Sequence, residues 1–271
     1  MKRSILSVPI RKIEAESAAA EQDLVAVEEP LEILVNGTNI SITMRTPGDD
    51  PELAAGFLFT EGILREPPQA IVSNGNRIEI ATSAEVDLDR LQRHFYLSSS
   101  CGVCGKASIQ ALESIGCPFL DRERPKIGAD LIPRLPEVLR SRQSVFDRTG
   151  GLHAAAIFDT AGDLIDLKED VGRHNALDKL IGATLLRRGL PLEQHVLMLS
   201  GRASFELIQK ALMAGIAIVA AVGAPSSLAV EAALRYGMTL AGFVRGERFN
   251  IYSGEWRISS SCVRPSGSPS S

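Results

Sequence analysis

Beyond Leu24 the chain alternates apolar and polar positions with a period of two, Leu31, Ile33 and Val35 before Asn36-Gly37 and Ile40, Ile42 and Met44 after it. Successive side chains on a strand point to opposite faces, and Asn-Gly supplies the positive φ of a tight turn, so the pattern predicts a β-hairpin. Asp50-Pro51 then reads as N-cap and first helical residue, with Leu53, Ala54, Phe57 and Leu58 as the inward stripe; Pro67-Pro68 cannot continue that helix. A second hairpin is expected where Ser73-Asn74-Gly75-Asn76 separates Ile71-Val72 from residues 77–80. Residues 24–97 are therefore expected to form a small α+β domain. The preceding residues 1–23 show no clear apolar face and are expected to be a flexible lead-in.

Residues 98–134 should carry a cysteine loop, a helix that stops at Gly116, and a proline-rich, charged linker. After a helix over 135–146, strands are predicted at 153–158, 164–167, 195–199, 217–222 and 239–244. Helices at 173–188, 205–213 and 228–236 separate the later ones. These later strands are nearly continuous Ala, Val, Ile and Leu, as strands covered on both faces are. Residues 135–255 should thus form a three-layer α/β/α sandwich, with Ile251 and Tyr252 adding a short edge strand. The Ser/Pro/Gly-rich residues 256–271 are expected to be a disordered tail.

Composition narrows the function classes. At 45% hydrophobic and 23% charged the 271 residues suit a soluble protein, and a net charge of −4 provides no basic field, so nucleic acid is not the default partner. No run of eighteen apolar residues and no signal-peptide core occurs, which points away from the membrane and to the cytoplasm. Four cysteines without framework spacing fit a reducing compartment, where thiols stay free.

The candidate chemistry starts at Ser98-Ser99-Ser100-Cys101-Gly102-Val103-Cys104-Gly105-Lys106. Glycine after each cysteine and serines before the first describe a loop able to present either sulfur. The helix that follows should put Cys104 near its N-terminus, where the dipole and Lys106 favour the thiolate. Zinc needs four ligands, and only Cys117 and Cys262 remain as further sulfurs. A thioredoxin-type pair needs a strand-to-helix junction rather than a serine run. Sulfur chemistry on an exposed loop is the favoured reading, with no metal site assigned.

Polar clusters also fall where predicted strands give way to helices. These are Glu169-Asp170-Val171-Gly172-Arg173-His174-Asn175, Ser200-Gly201-Arg202-Ala203-Ser204 and Gly223-Ala224-Pro225-Ser226-Ser227, with Phe243-Val244-Arg245-Gly246-Glu247-Arg248 after the last strand. Helix N-termini and guanidiniums at the carboxyl ends of strands suit an anionic, nucleotide-bearing ligand. His153 could face the same cleft.

Together, Ser100-Cys101-Gly102-Val103-Cys104-Gly105, Gly150-Gly151-Leu152-His153-Ala154-Ala155, the run from Glu169 to Lys179, Ser200-Gly201-Arg202-Ala203-Ser204-Phe205-Glu206 and Phe243-Val244-Arg245-Gly246 resemble the FdhD family of formate dehydrogenase accessory sulfur carriers. The resemblance implies a cytoplasmic homodimer whose larger domain has a cytidine-deaminase-like fold. It implies that persulfide sulfur is received from a cysteine desulfurase and passed to the molybdenum bis(guanine dinucleotide) cofactor before that cofactor enters formate dehydrogenase. Cys101 would bear the persulfide with Cys104 as its partner. Phe243, Val244, Arg245, Gly246, Glu247 and Arg248 would bind the cofactor or a guanine nucleotide, and Arg202 and His174 are added here to the same pocket. The alternative is a non-catalytic zinc- or nucleotide-binding scaffold that docks desulfurase and dehydrogenase. A zinc deaminase is disfavoured, because serine precedes Cys101 and Ala154-Ala155 follows His153 where a glutamate would be needed.

Overall fold

The computed structural model describes residues 4–15, 17–83 and 105–259; Cys101, Cys104 and residues 260–271 lie outside them, while 256–259, expected to open a disordered tail, are ordered because Arg257 is buried and Ile258–Ser259 pairs with Ile127–Gly128. The first finding is a correction. Residues expected to be a flexible lead-in form a long antiparallel hairpin, β1 (Ile5–Glu14) and β2 (Ser17–Ala26), in register from Ile5↔Ala26 to Glu14↔Ser17. Its apolar residues Leu6, Ile13 and Val25 remain exposed, and for that reason no inward face is legible in its sequence.

Both predicted hairpins form. β3 (Glu29–Val35) pairs with β4 (Thr38–Arg45) around Asn36-Gly37, and β5 (Ala70–Asn74) pairs with β6 (Arg77–Ala81). Parallel pairing of β3 with β6 joins them into a sheet of order β4-β3-β6-β5. Helix α1 (Asp50–Thr60) follows β4. Asp50 is its first residue rather than its cap, since its carboxylate is bound by buried Arg45 through Nε–Oδ1 at 2.8 Å and Nη2–Oδ2 at 2.9 Å. The helix after the cysteine loop, α2 (Gly105–Ile115), buries Ile109, Leu112 and Ile115. The helix expected over 135–146 is divided at Gln143 into α3 (Leu135–Arg142) and α4 (Ser144–Thr149).

The second sheet has the order β13-β12-β11-β10-β8-β9. It is built from β8 (His153–Phe158), β9 (Leu164–Asp170), β10 (Val196–Leu199), β11 (Ile218–Ala221), β12 (Thr239–Arg245) and β13 (Arg248–Ser253); β7 (Ile127–Gly128) and β14 (Ile258–Ser259) pair separately. β10, β11 and β12 are parallel, whereas β8 runs antiparallel to β10 and β13 to β12. Helices α5 (Arg173–Leu186), α6 (Phe205–Met213) and α7 (Ser227–Tyr236) supply Leu177, Leu207 and Ala232 to the core of which the Ala155–Leu197–Val219 face is part. Leu135 and Leu139 of α3 share a second core with Ala156, Met198 and Ala220.

The expected boundary at residue 97 does not divide two cores. One apolar cluster continues from Leu31, Ile33 and Ile80 through α1 into Leu177 and Ile181 of α5. The two helices cross at glycines: a Cβ on Gly56 would lie 1.9 Å from the Asp178 carbonyl oxygen, and one on Gly182 would lie 1.8 Å from that of Glu52. Two buried lysines brace the crossing, Lys179 on Asp170 at 2.7 Å and Lys210 on Asp178 at 2.9 Å. Burial alone would push the Lys210 ammonium towards its neutral form, but the Asp178 and Glu61 charges outweigh it and keep the proton on. Among the described residues no helix is long and apolar enough to cross a membrane.

Candidate functional site

Because β8 runs against β10, its first residue, His153, sits beside the carboxyl end of β10 rather than at the far edge of the sheet. Ser200 closes that corner, its N–H donating to the Ala154 carbonyl at 3.0 Å and its Oγ accepting from the Ala154 N–H at 2.8 Å. The strand ends are then stitched in series: the Gly223 N–H donates to the Gly201 carbonyl at 2.9 Å, and the Phe243 N–H to the Gly223 carbonyl at 3.1 Å. Glycine at 223 is a packing requirement, since a Cβ there would fall 2.9 Å from Cγ and 3.0 Å from Cα of Arg202. Backbone is thereby gathered at three adjacent strand ends, with the exposed Arg202 beside it. Such an arrangement offers close approach to a large anion.

Charge converges on this edge from the starts of α5 and α6. His174 Nε2 lies 2.7 Å from Glu206 Oε2 and 3.3 Å from Ser204 Oγ. The hydrogen bond from His174 holds the Glu206 carboxyl below the usual carboxylate range, against the opposing effect of burial. His153 is held below the ordinary histidine value, first by burial and then by the Arg173 and His174 charges, so its ring is neutral near pH 7. The Arg173 Nε is buried and has no hydrogen-bond partner among the described residues. A buried, unspent guanidinium donor whose charge reaches His153 fits an anionic ligand group.

The cofactor-binding stretch expected after the last strand is the tip of a hairpin. Arg245 and Arg248 face each other across it at the paired ends of β12 and β13, with Gly246-Glu247 as the turn, and all four are exposed. Phe243 is exposed as well and holds φ at +54°, in the left-handed region that non-glycine residues avoid. Val244 is a correction to the expected set. Its side chain is fully buried in the core on the α3 side of the sheet, with Ala241, because the irregularity between Gly242 and Arg245, where Phe243 is left-handed, breaks the alternation that would otherwise send residue 244 to the Leu240 face. The structure therefore brings His174, Arg202 and Phe243 to the strand ends and carries Arg245, Gly246, Glu247 and Arg248 out on the adjoining hairpin. Sequence reasoning gave no role to Thr46, whose connection to the site spans 124 residues and leaves no local signal; Ser204 and Glu206 stood in the strand-end cluster and the family motif, but not as the partners of His174.

The expected positions of Cys101 and Cys104 lie outside the described residues, but both flanks of their segment are placed. On one side the Asn36 side chain holds Thr82, donating to its carbonyl at 2.9 Å and accepting from its N–H at 3.1 Å. On the other, α2 begins at Gly105, directly after Cys104 in the chain, and Arg65 Nη2 donates to the Ile115 carbonyl at 2.8 Å at its far end. Cys117 is a different kind of cysteine. It is buried in the main core, and burial pushes its thiol up to about 12 despite the Arg65 charge, so it is protonated at neutral pH.

A mixed six-stranded sheet with guanidinium and histidine side chains at its strand ends, joined through one core to a four-stranded sheet, defines a mixed α/β protein. The chain belongs to the FdhD/NarQ family, whose model matches residues 26–259. It is 50% identical over 257 residues to the sulfur carrier protein FdhD of Streptomyces avermitilis, covering 89% of this chain and 91% of that one. Identity to the sulfur carrier protein FdhD of Mycobacterium tuberculosis is 47% over 267 residues, covering 92% and 96%. A crystal structure of a candidate formate dehydrogenase accessory protein from Desulfotalea psychrophila superposes with a TM-score of 0.76 at 25% identity, over 95% of this chain and all (100%) of that one.

Proposed function

We propose that this protein is a cytoplasmic sulfur carrier for formate dehydrogenase, with Cys101 as the persulfide-bearing residue. The observation that carries the reading is the match to relatives named as sulfur carriers over nearly their whole length. The contrast between its cysteines supports it: Cys117 is sealed in the core as a thiol, whereas Cys101 and Cys104 stand among glycines and serines just ahead of a helix start.

The transfer balances as thiol exchange. The Cys101 thiolate attacks the terminal sulfur of a persulfide on a cysteine desulfurase; a new S–S bond forms on Cys101 and the donor's cysteine leaves as thiolate. Attack by the Cys104 thiolate on Cys101 Sγ then expels hydrosulfide and leaves a Cys101–Cys104 disulfide, which a cellular dithiol reduces. The acceptor is the molybdenum bis(guanine dinucleotide) cofactor, carried as cargo to formate dehydrogenase. Its diphosphates suit Arg173, Arg202, Arg245 and Arg248, and its guanine rings suit Phe243; a free guanine nucleotide takes the same groups. A homodimer supplies two copies of these contacts to a cofactor with two nucleotide arms. The family resemblance implies a cytidine-deaminase-like large domain, and the order β9, β8, β10, β11, β12, with β8 antiparallel to its neighbours, supports that reading. Deaminase chemistry does not come with it, because Ala155 stands where that reaction needs glutamate.

Incubation with a desulfurase and cysteine, followed by peptide mass spectrometry, tests the carrier role. One added sulfur, about 32 Da, is expected on the peptide containing Cys101. An adduct on Cys117 with Cys101 unmodified would end this assignment.

A further inference from the structure

The start of α5 is tied to β4 and the connection after it by a buried carboxylate and by Asn175, which also accepts from Thr43 Oγ1 at 3.3 Å. Asp170 ends β9 and is completely buried. Its Oδ1 accepts from the Gly172 N–H at 2.8 Å and Asn175 Nδ2 at 3.1 Å; its Oδ2 accepts from the Thr46 N–H at 3.1 Å and Lys179 Nζ at 2.7 Å. Thr46 lies in the connection between β4 and α1, 124 residues earlier in the chain. It is held in return, its Oγ1 accepting from the Val171 N–H at 3.2 Å and its carbonyl from Lys179 at 2.9 Å. Asn175 adds a second tie by donating to the Met44 carbonyl at 2.7 Å.

The residues spanned by these anchors are Arg173 and His174. Gly172 on one side and Asn175 on the other are bonded to the same carboxylate oxygen, so the backbone between them has little freedom. His174 in turn meets Glu206 and Ser204 at the start of α6. A buried carboxylate with four donors is stiff, since losing any one leaves charge under-solvated in a low-dielectric interior.

We propose that Asp170 is a positioning residue for the cleft: together with the Thr46 N–H and Lys179 it fixes the start of α5 so that Arg173 and His174 are presented at the strand ends. The N-terminal sheet thereby controls ligand affinity without touching the ligand. The affinity part of this proposal rests on the anion-binding reading of the cleft; the geometric part does not.

Asp178 provides the control. It is a second buried carboxylate on α5, paired with Lys210 at 2.9 Å and accepting from Thr60 at 2.9 Å, but it braces the far end of α1. Three variants, Asp170→Asn, Thr46→Val and Asp178→Asn, are compared by GDP titration calorimetry and by the NMR resonance of the His174 Cε1–H. Asp170→Asn is expected to bind GDP about tenfold more weakly, with the His174 resonance displaced and the far-UV spectrum unchanged. Thr46→Val, which removes only the acceptor for Val171, should shift the resonance the same way with roughly threefold weaker binding. Asp178→Asn should unfold at lower temperature yet keep wild-type affinity and an unmoved resonance. The proposal is overturned if the resonance stays put in both Asp170→Asn and Thr46→Val, or moves equally in Asp178→Asn. If Asp170→Asn does not fold, Thr46→Val decides; if the wild-type protein binds no GDP, the nucleotide reading falls and the resonance alone judges Asp170.

Discussion

Phe243 joins backbone strain to exposure at the rim of the cleft. A non-glycine residue in the left-handed region costs about 1 kcal/mol, and an exposed ring recovers little of that by packing. Phe243→Gly is therefore expected to leave the melting temperature unchanged or raise it by a few degrees while weakening guanine-nucleotide binding several-fold. Differential scanning fluorimetry with a GDP titration checks both halves, and a large drop in melting temperature would show that the ring is structural. The same scale sorts the run from Glu169 to Lys179, the block most specific to the family resemblance. Glu169 caps α4 by accepting from the Val145 and Phe146 N–H groups, Asp170 and Lys179 join the two sheets, and Ala176 and Leu177 are core. Arg173 and His174 are left to face the strand ends, so much of a motif that reads as functional is architecture.

At the scale of elements, the α1–α5 crossing determines how the two sheets sit together. Ridges of side chains normally hold helix axes 8–10 Å apart, but Gly56 and Gly182 let the backbones touch. A methyl at either position has only carbonyl and amide atoms to displace. Gly182→Ala should consequently cost more than about 3 kcal/mol, although alanine is the better helix former by about 1 kcal/mol. Urea unfolding measures the difference; a stabilised Gly182→Ala protein would mean that the helices can separate freely. The sequence signals for both helices are clear, in the stripe of Leu53, Ala54, Phe57 and Leu58 and in the Gly172 that precedes Arg173. Nothing in either segment says that they meet, because each glycine reads locally as a mild helix breaker.

On the whole-molecule scale, the β1–β2 hairpin stands apart from the continuous core. The family match begins at residue 26, as the hairpin ends, and β2 is the strand that meets the body, against α4 and where Ala26 lies beside Gly151. A two-stranded hairpin with no fully buried residue, only half-buried ones such as Val8, Ile10 and Leu24, adds little to the stability of what it projects from. Deleting residues 1–22 is expected to change the melting temperature by less than about 3 °C, corresponding to roughly 1 kcal/mol in a chain of this size. A substantially larger fall by calorimetry would show that the hairpin is integral to the fold.

Local chemistry sufficed for whatever depends on neighbours in the chain. Asn-Gly turns, apolar strand runs and the exact span of α6 follow from spacing, and the Cys101-Gly102-Val103-Cys104 pair and the strand-end polar clusters are visible for the same reason. Tertiary structure alone decided what depends on residues far apart. It placed His153 beside Ser200 through antiparallel pairing, turned Val244 into the core while Phe243 faces out, fused two expected domains across a glycine contact, and bound Thr46 to Asp170 over 124 positions. The physical reason is that hydrogen-bond partners and close backbone contacts are set by where the chain returns in space, and a period of two or 3.6 carries no record of that return.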